Sequence, residues 1–238
     1  MIFRQYSCLT IVGASLTLLQ LSGCAPPAPE FDLLIRGGTL VDGTGASRRS
    51  ADVAIQGDRI VAIAPDISGD RASEVLDATG LIVAPGFWDN HAHLVELEDH
   101  PTAENFLRQG ITTIIASLHS QQQVYPMAPY RQRVRMAPNV GLYAGHTWIR
   151  EQVLGLEKRP PTAAELEAMK EYVHDAMRAG ALGLATGLEY VPAVYAELDE
   201  IVALAEVAAS YGGLYSTHMR DEGVRVLEAV EETLAVGR

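Results

Sequence analysis

Val83-Ala84-Pro85-Gly86-Phe87-Trp88-Asp89-Asn90-His91-Ala92-His93 carries an apolar strand into two histidines separated by one residue. In a strand, successive side chains point to opposite faces, so His91 and His93 fall on one face and can converge on a single ion. The run Leu81 to Ala84 is continuously apolar. That is the pattern of a strand buried on both faces of a parallel sheet, with its polar end opening at the sheet's carboxyl edge. Two ordinary loop histidines give the same short pattern, so the surrounding sequence has to decide between them.

Upstream lie short β-rich runs, Asp32 to Arg36, Asp52 to Ile55 and Arg59 to Ile63, broken by Gly37-Gly38, Asp42-Gly43 and Gly57-Asp58. These are strand and turn signals, and they read as part of a small β-sandwich over residues 31–80. Downstream, Ile111 to Ala116, Val140 to Ala144, Ala181 to Ala185 and Gly213 to Thr217 read as further strands with helical stretches between them. The clearest helix starts at the capping box Thr162-Ala163-Ala164-Glu165 and ends near Gly180; others run from about Ala196 to Ser210 and from about Glu222 to Val236. Strand alternating with helix predicts βαβ units and a parallel sheet over residues 81–238.

Pro85 to His93 resembles the Pro-Gly-Phe-x-Asp-x-His-x-His segment that opens the barrel of the amidohydrolase superfamily. Within that superfamily, three more stretches resemble the N-acyl-D-amino-acid deacylases, or D-aminoacylases. They are Gly145-His146-Thr147-Trp148-Ile149-Arg150, Ala179 to Pro192 with Gly187-Leu188-Glu189-Tyr190 at its centre, and Tyr215-Ser216-Thr217-His218-Met219-Arg220-Asp221-Glu222. The resemblance covers roughly residues 31 to 238. It implies an α/β fold, a metal-dependent (β/α)8 TIM-like barrel flanked by a β-sandwich that both ends of the chain build. A closed barrel needs eight βα units and typically ~250 residues, whereas about five units are visible here. The expectation is therefore an N-terminal fragment, with an incomplete barrel that is inactive alone or needs a partner.

The resemblance also assigns roles. His91 and His93 are implied zinc ligands from the first barrel strand, and His218 is implied from the fifth. D-aminoacylases usually carry a metal-binding cysteine on the second strand, and counting nine residues on from Gly110 arrives instead at His119. Histidine still binds zinc, but a neutral imidazole cannot bridge two ions through one atom as a thiolate does, which leaves open one Zn²⁺ or two. The alternative for His119 is a polar loop residue. Tyr190 matches a substrate-contacting tyrosine. His146 and Arg150 either line the substrate pocket or brace the loop, and Glu189 either places a carboxylate near the metal or faces solvent. Arg220 either pairs with Asp221 or Glu222 or helps to hold the site. His100 and His174 have no motif behind them. The general-base aspartate of the family comes from the last barrel strand, which five units do not reach.

Together these features imply zinc-dependent hydrolysis of a linear amide, the deacylation of an N-acyl-D-amino acid or a related small molecule. Two alternatives stand beside it. A cyclic-amide hydrolase of dihydroorotase or hydantoinase type would place a carboxylated lysine at the end of the fourth strand, and Ala181 to Pro192 contains no lysine. A non-catalytic lipoprotein keeping only the fold is the other.

Residues 1–23 carry one charge, Arg4, before an apolar run from Leu9 to Leu21, the build of a signal peptide. Leu21-Ser22-Gly23-Cys24 resembles the bacterial lipoprotein box, which implies lipidation at Cys24; Ala25, not Asp, follows, which favours the outer membrane facing the periplasm. Residues 24–30 would be a Pro-rich tether. With Cys8 in the leader and Cys24 lipidated, no cysteine is left for a disulfide. The formal net charge of −12, about −13 without the leader, argues against a nucleic-acid partner and against electrostatic membrane binding, leaving the lipid as the membrane link.

Overall fold

The computed structural model describes residues 28–93, 99–116, 126–133 and 135–238. The expectations for the leader, for Cys24 and for His119 lie outside the described residues. The chain divides into two compact units, Met1–Pro85 and Gly86–Arg238.

The first unit is two small facing sheets. One has the order β5-β4-β1-β6, built from β1 (Phe31–Arg36), β4 (Asp52–Gln56), β5 (Arg59–Ala64) and β6 (Ala72–Asp77). The other has the order β3-β2-β7, from β2 (Thr39–Leu40), β3 (Arg49–Ser50) and β7 (Ile82–Val83). Leu40, Ala51 and Val53 are buried with Ile35, Ile55 and Val83 against them. The buried Asp52 is satisfied, accepting the backbone N–H of Gly37 and of Ile67, each at 2.8 Å. This bears out the sandwich and corrects one strand. Ile82–Val83 pairs with Thr39–Leu40 and belongs to the first unit, so the boundary falls at 85/86 instead of 80/81. The break has a local cause. Pro85 offers no N–H to a ladder, and a Cβ on Gly86 would run into the side chain of Thr112.

The second unit starts its own ladder at β8 (Phe87–Ala92), where Phe87 N–H donates to Gly110 O at 2.8 Å. Then follow α1 (Glu104–Leu107), β9 (Ile111–Ala116), α2 (Met127–Arg133), β10 (Asn139–Leu142), β11 (Ala144–Gly145), α3 (His146–Leu154), α4 (Ala163–Arg178), β12 (Gly183–Gly187), α5 (Leu198–Ser210), β13 (Leu214–His218) and α6 (Val226–Val236). Neighbouring strands pair parallel in chain order, β8-β9-β10 and β11-β12-β13. The two triplets meet at Tyr143, whose N–H bonds Ala116 O at 3.1 Å, beside Leu182 N–H on Leu142 O at 2.8 Å. Five successive βα steps of a TIM-like barrel are thus present. The expected strand Val140 to Ala144 divides at that tyrosine.

Alternation sorts the strand residues into two layers. Ile114, Leu142, Ala144 and Leu184 pack outward against Ile149, Met169, Val173, Ala176 and Leu204 of the helices. Burying one such aliphatic side chain is worth ~1.5–3 kcal/mol, so this outer layer holds the unit together. The inner layer is thinner, with Ile115, Tyr143 and Ala185 in contact. At Gly183, with φ +154°, a Cβ would overlap the carbonyl of Leu214, so only glycine lets β12 and β13 approach this closely.

The best-specified helix is α4. Thr162 Oγ1 accepts Glu165 N–H at 3.3 Å while Glu165 Oε2 accepts Thr162 N–H at 2.8 Å, the reciprocal pair the sequence predicts, and Gly180 turns out of the helix at φ +90°. Helix α6 begins later than expected, at Val226, because Asp221 Oδ1 takes the N–H groups of Gly223 and Arg225 and forms a turn there. Among the described residues no helix is long and apolar enough to cross a membrane.

Candidate metal site at the carboxyl edge

The parallel register sets which side chains share the inner face of β13. Leu214, Ser216 and His218 pair with Gly183, Ala185 and Gly187, whereas Tyr215 and Thr217 turn the other way to Thr186 Oγ1, at 2.9 and 2.7 Å. His218 therefore emerges at the carboxyl end of β13, away from the helices. His91 emerges at the carboxyl end of β8, the other flank of the five-strand run. Curvature brings the two flanks together, since Ser216 Oγ lies 3.4 Å from His91 Nδ1. His93 follows directly, its ring edge-on to that of His91 with centroids 5.9 Å apart. The two rings stand close to each other although the β8–β9 register shifts between Asp89 and Ala92.

Around His218 the arrangement is dense. Glu189 Oε2 stands 2.8 Å from Nε2, the Tyr190 hydroxyl 3.5 Å and Glu222 Oε1 3.8 Å. The Tyr190 ring tilts against the imidazole, centroids 4.8 Å apart. Glu189, left between site and solvent by the sequence, faces the ring. Burial, then the fields of His93 and His218, lower the pKa of His91, partly offset by Asp89 and Glu222. That favours the neutral imidazole, the form that binds metal.

Imidazoles with carboxylates close by are donors of the kind that zinc accepts. Among the described residues no group of three His, Cys, Asp or Glu side chains is already gathered to hold an ion. A cavity of about 560 Å³, lined by Met127, Trp148, Tyr172 and Arg178 among others, lies on the helical side, and none of the site candidates lines it.

Two predicted pocket residues sit elsewhere. His146 and Arg150, at the start and on the second turn of α3, are both 0% exposed. His146 Nε2 lies 2.8 Å from Glu200 Oε1, and Arg150 donates to Glu200 Oε2 and to the carbonyl of Arg159, the latter at 2.7 Å. The substrate-lining alternative gives way to bracing, because no surface of either side chain is open to a ligand. Burial would raise the Glu200 pKa; the hydrogen bonds and charges of His146 and Arg150 outweigh it and leave the carboxyl below its ordinary value. Sequence reading passed over Glu200, yet it lies in the helical row with Leu204, Val207 and Ala208, and a charge on an apolar stripe signals a buried partner. Arg220 also differs from expectation. Its partner is Glu232 on α6, at 2.8 and 2.9 Å, and it donates to the carbonyls of Val194 and Ala196, leaving Asp221 and Glu222 to other contacts. His174 is held by the Tyr211 hydroxyl at 3.0 Å.

No family model matches the chain. It is 36% identical to a D-aminoacylase of Alcaligenes xylosoxydans xylosoxydans, over 87% of this chain and 48% of that protein. It is 40% identical to an N-acyl-D-glutamate deacylase of the same organism, over 88% and 48%. A solved N-acyl-D-glutamate deacylase from Bordetella bronchiseptica, complexed with zinc and a phosphonate mimic of the tetrahedral intermediate, superimposes with a TM-score of 0.81 at 34% identity, covering 88% of this chain and 49% of that one. The chain spans about half the length of the curated relatives it matches.

Proposed function

We propose that this chain, which belongs by sequence and fold with the D-aminoacylase family of amidohydrolases, supplies the metal-binding part of a zinc-dependent enzyme that removes the acyl group from N-acyl-D-amino acids. The observation that carries the reading is the nearness of the two strand ends: Ser216 Oγ of β13 lies 3.4 Å from His91 Nδ1 of β8, with His93 next to His91 just past β8 and His218 closing β13 two residues after Ser216. The relatives' substrates give the class of amide.

His91, His93 and His218 would hold the ion, with His119 as a further candidate. Bound zinc brings the pKa of a water to ~7 and polarises a carbonyl, so nucleophile and electrophile arise in one place. Tyr190 stands beside His218 with its hydroxyl directed at the same nitrogen as Glu189, so a substrate at the edge meets an O–H donor on that side. His146, Arg150 and Glu200 hold α3 against α5 behind the sheet and touch no substrate.

The test uses the full-length protein loaded with zinc, assayed on N-acetyl-D-amino acids, their L enantiomers and dihydroorotate. Release of free D-amino acid, lost on chelation and in His91→Ala, is the expected result. Opening of the cyclic amide alone would replace this reading by the dihydroorotase one, and no turnover of any of them would favour a binding lipoprotein. We further propose a lipid anchor at Cys24 in a bacterial envelope; Cys24→Ala should move the protein from the membrane to the soluble fraction, and an unchanged distribution would remove the anchor.

A further inference from the structure

Tyr143 sits where the two strand triplets of the second unit meet, in the inner layer. It touches Ile115 of β9 and Ala185 of β12 and is 4% exposed. Ala185 pairs in register with Ser216, whose Oγ lies 3.4 Å from His91 Nδ1, so this layer runs just below the histidine edge. On the amino side of the layer the interior is filled. At Gly141, two residues before Tyr143, a Cβ would come within 2.7 Å of Ile115 Cδ1 and 2.6 Å of Leu182 Cδ1. On the carboxyl side the next inner positions of the neighbouring strands are Gly145, paired with Ala185, and Gly187, paired with His218, and neither carries a side chain. We propose that Tyr143 is a specificity-determining residue, the floor on which the acyl group of the substrate rests, and that its ring limits the enzyme to short acyl chains. This rests on the deacylase reading under Proposed function.

The chemistry of the layer selects the acyl half of the substrate. With the scissile carbonyl at the histidine edge, the acyl and amino-acid portions leave it in opposite directions. Ile115, Ala185 and the phenol ring offer an apolar surface. The inner positions of β12 and β13, from Gly183 and Leu214 up to Gly187 and His218, hold no lysine or arginine to meet a carboxylate. A carboxylate placed there would be buried unpaired, which is costly, whereas an alkyl group gains by leaving water. Burial raises the Tyr143 pKa, so the phenol stays neutral and adds no charge to the floor. From Ser216 to His218 the strand rises by two residues, ~7 Å. That leaves depth for a short acyl group between edge and ring.

The experiment takes zinc-loaded full-length protein and measures kcat/KM for the acetyl, butyryl, hexanoyl and octanoyl derivatives of the D-amino acid it turns over fastest. Acetyl or butyryl should lead in the parent protein. In Tyr143→Ala the hexanoyl-to-acetyl ratio should rise ~10-fold or more. Tyr143→Phe should keep the parent ratio, since the ring and not the hydroxyl sets the depth. Ala185→Val adds bulk to the same layer and should lower the ratio; it decides the matter if Tyr143→Ala does not fold. A parent that favours octanoyl, or an unmoved ratio in folded Tyr143→Ala or in Ala185→Val, overturns the proposal. If the parent hydrolyses no member of the series, the deacylase reading is what fails, and the floor goes with it.

Discussion

Two histidine–glutamate pairs stand in this molecule at the same separation. His146 Nε2 and His218 Nε2 each lie 2.8 Å from a glutamate oxygen. One pair is sealed, with side chains 0% and 2% exposed and Arg150 closing on the same carboxylate. The other is open, 21% and 55% exposed, with a tyrosine and a second glutamate close by. Hydrogen-bond geometry does not separate structure from chemistry here; the surroundings do. A carboxylate whose every neighbour is protein is fully used in holding two helices together. A carboxylate at the rim leaves its partner ring something to do.

The sharpest way to break the comparison is to remove each histidine. His218→Ala should abolish zinc uptake and turnover, beyond the ~10–100-fold that an outer partner is worth, while unfolding stays within about 1 kcal/mol of the parent. His146→Ala should reverse that pattern. A stability loss at His218 as large as at His146 would erase the distinction. Next in size, Glu200→Ala strands the buried Arg150 guanidinium and should cost ~3–5 kcal/mol in denaturant unfolding, against no comparable loss for Glu189→Ala.

Titration sharpens the same contrast. The folded Glu200 carboxyl has a lowered pKa, so its contribution is complete above the unfolded value of about 4.3 and disappears as pH falls through the folded value. The parent's stability should fall more steeply with acid below about pH 4.3 than that of Glu200→Gln. Parallel curves would mean that the sealed pair does not hold its charge. The smallest effect, a control remote from both pairs, is Thr162→Ala at the N-cap of α4, expected to cost about 1 kcal/mol with turnover unchanged.

The sequence carried much of this. Strand alternation placed His91 and His93 together, the five βα steps were visible as periodicity, and Thr162 with Glu165 announced the start of α4. Three features were not legible, each for a physical reason. Ile82 and Val83 read as a barrel strand because a short apolar run says nothing about which sheet will receive it; the proline at 85 and the crowding of Gly86 by Thr112 decided that. His146 and Arg150 sit next to a strand end and were expected near the pocket, but the chain enters α3 at His146 itself, and both side chains turn to Glu200, more than a helix away in sequence. Arg220 met Glu232 instead of its acidic neighbours because Asp221 is already occupied capping the turn before α6.

Arg220 ties elements that are otherwise only neighbours. Its guanidinium is shared among the carbonyls of Val194 and Ala196 and the carboxylate of Glu232 on α6. None of these bonds can open without disturbing the others, so the segment leading out of β12 and the last barrel helix described here should breathe as one cooperative unit. In hydrogen exchange, the amides of residues 194–196 and of α6 would then share one opening rate, and Arg220→Ala would split that rate in two.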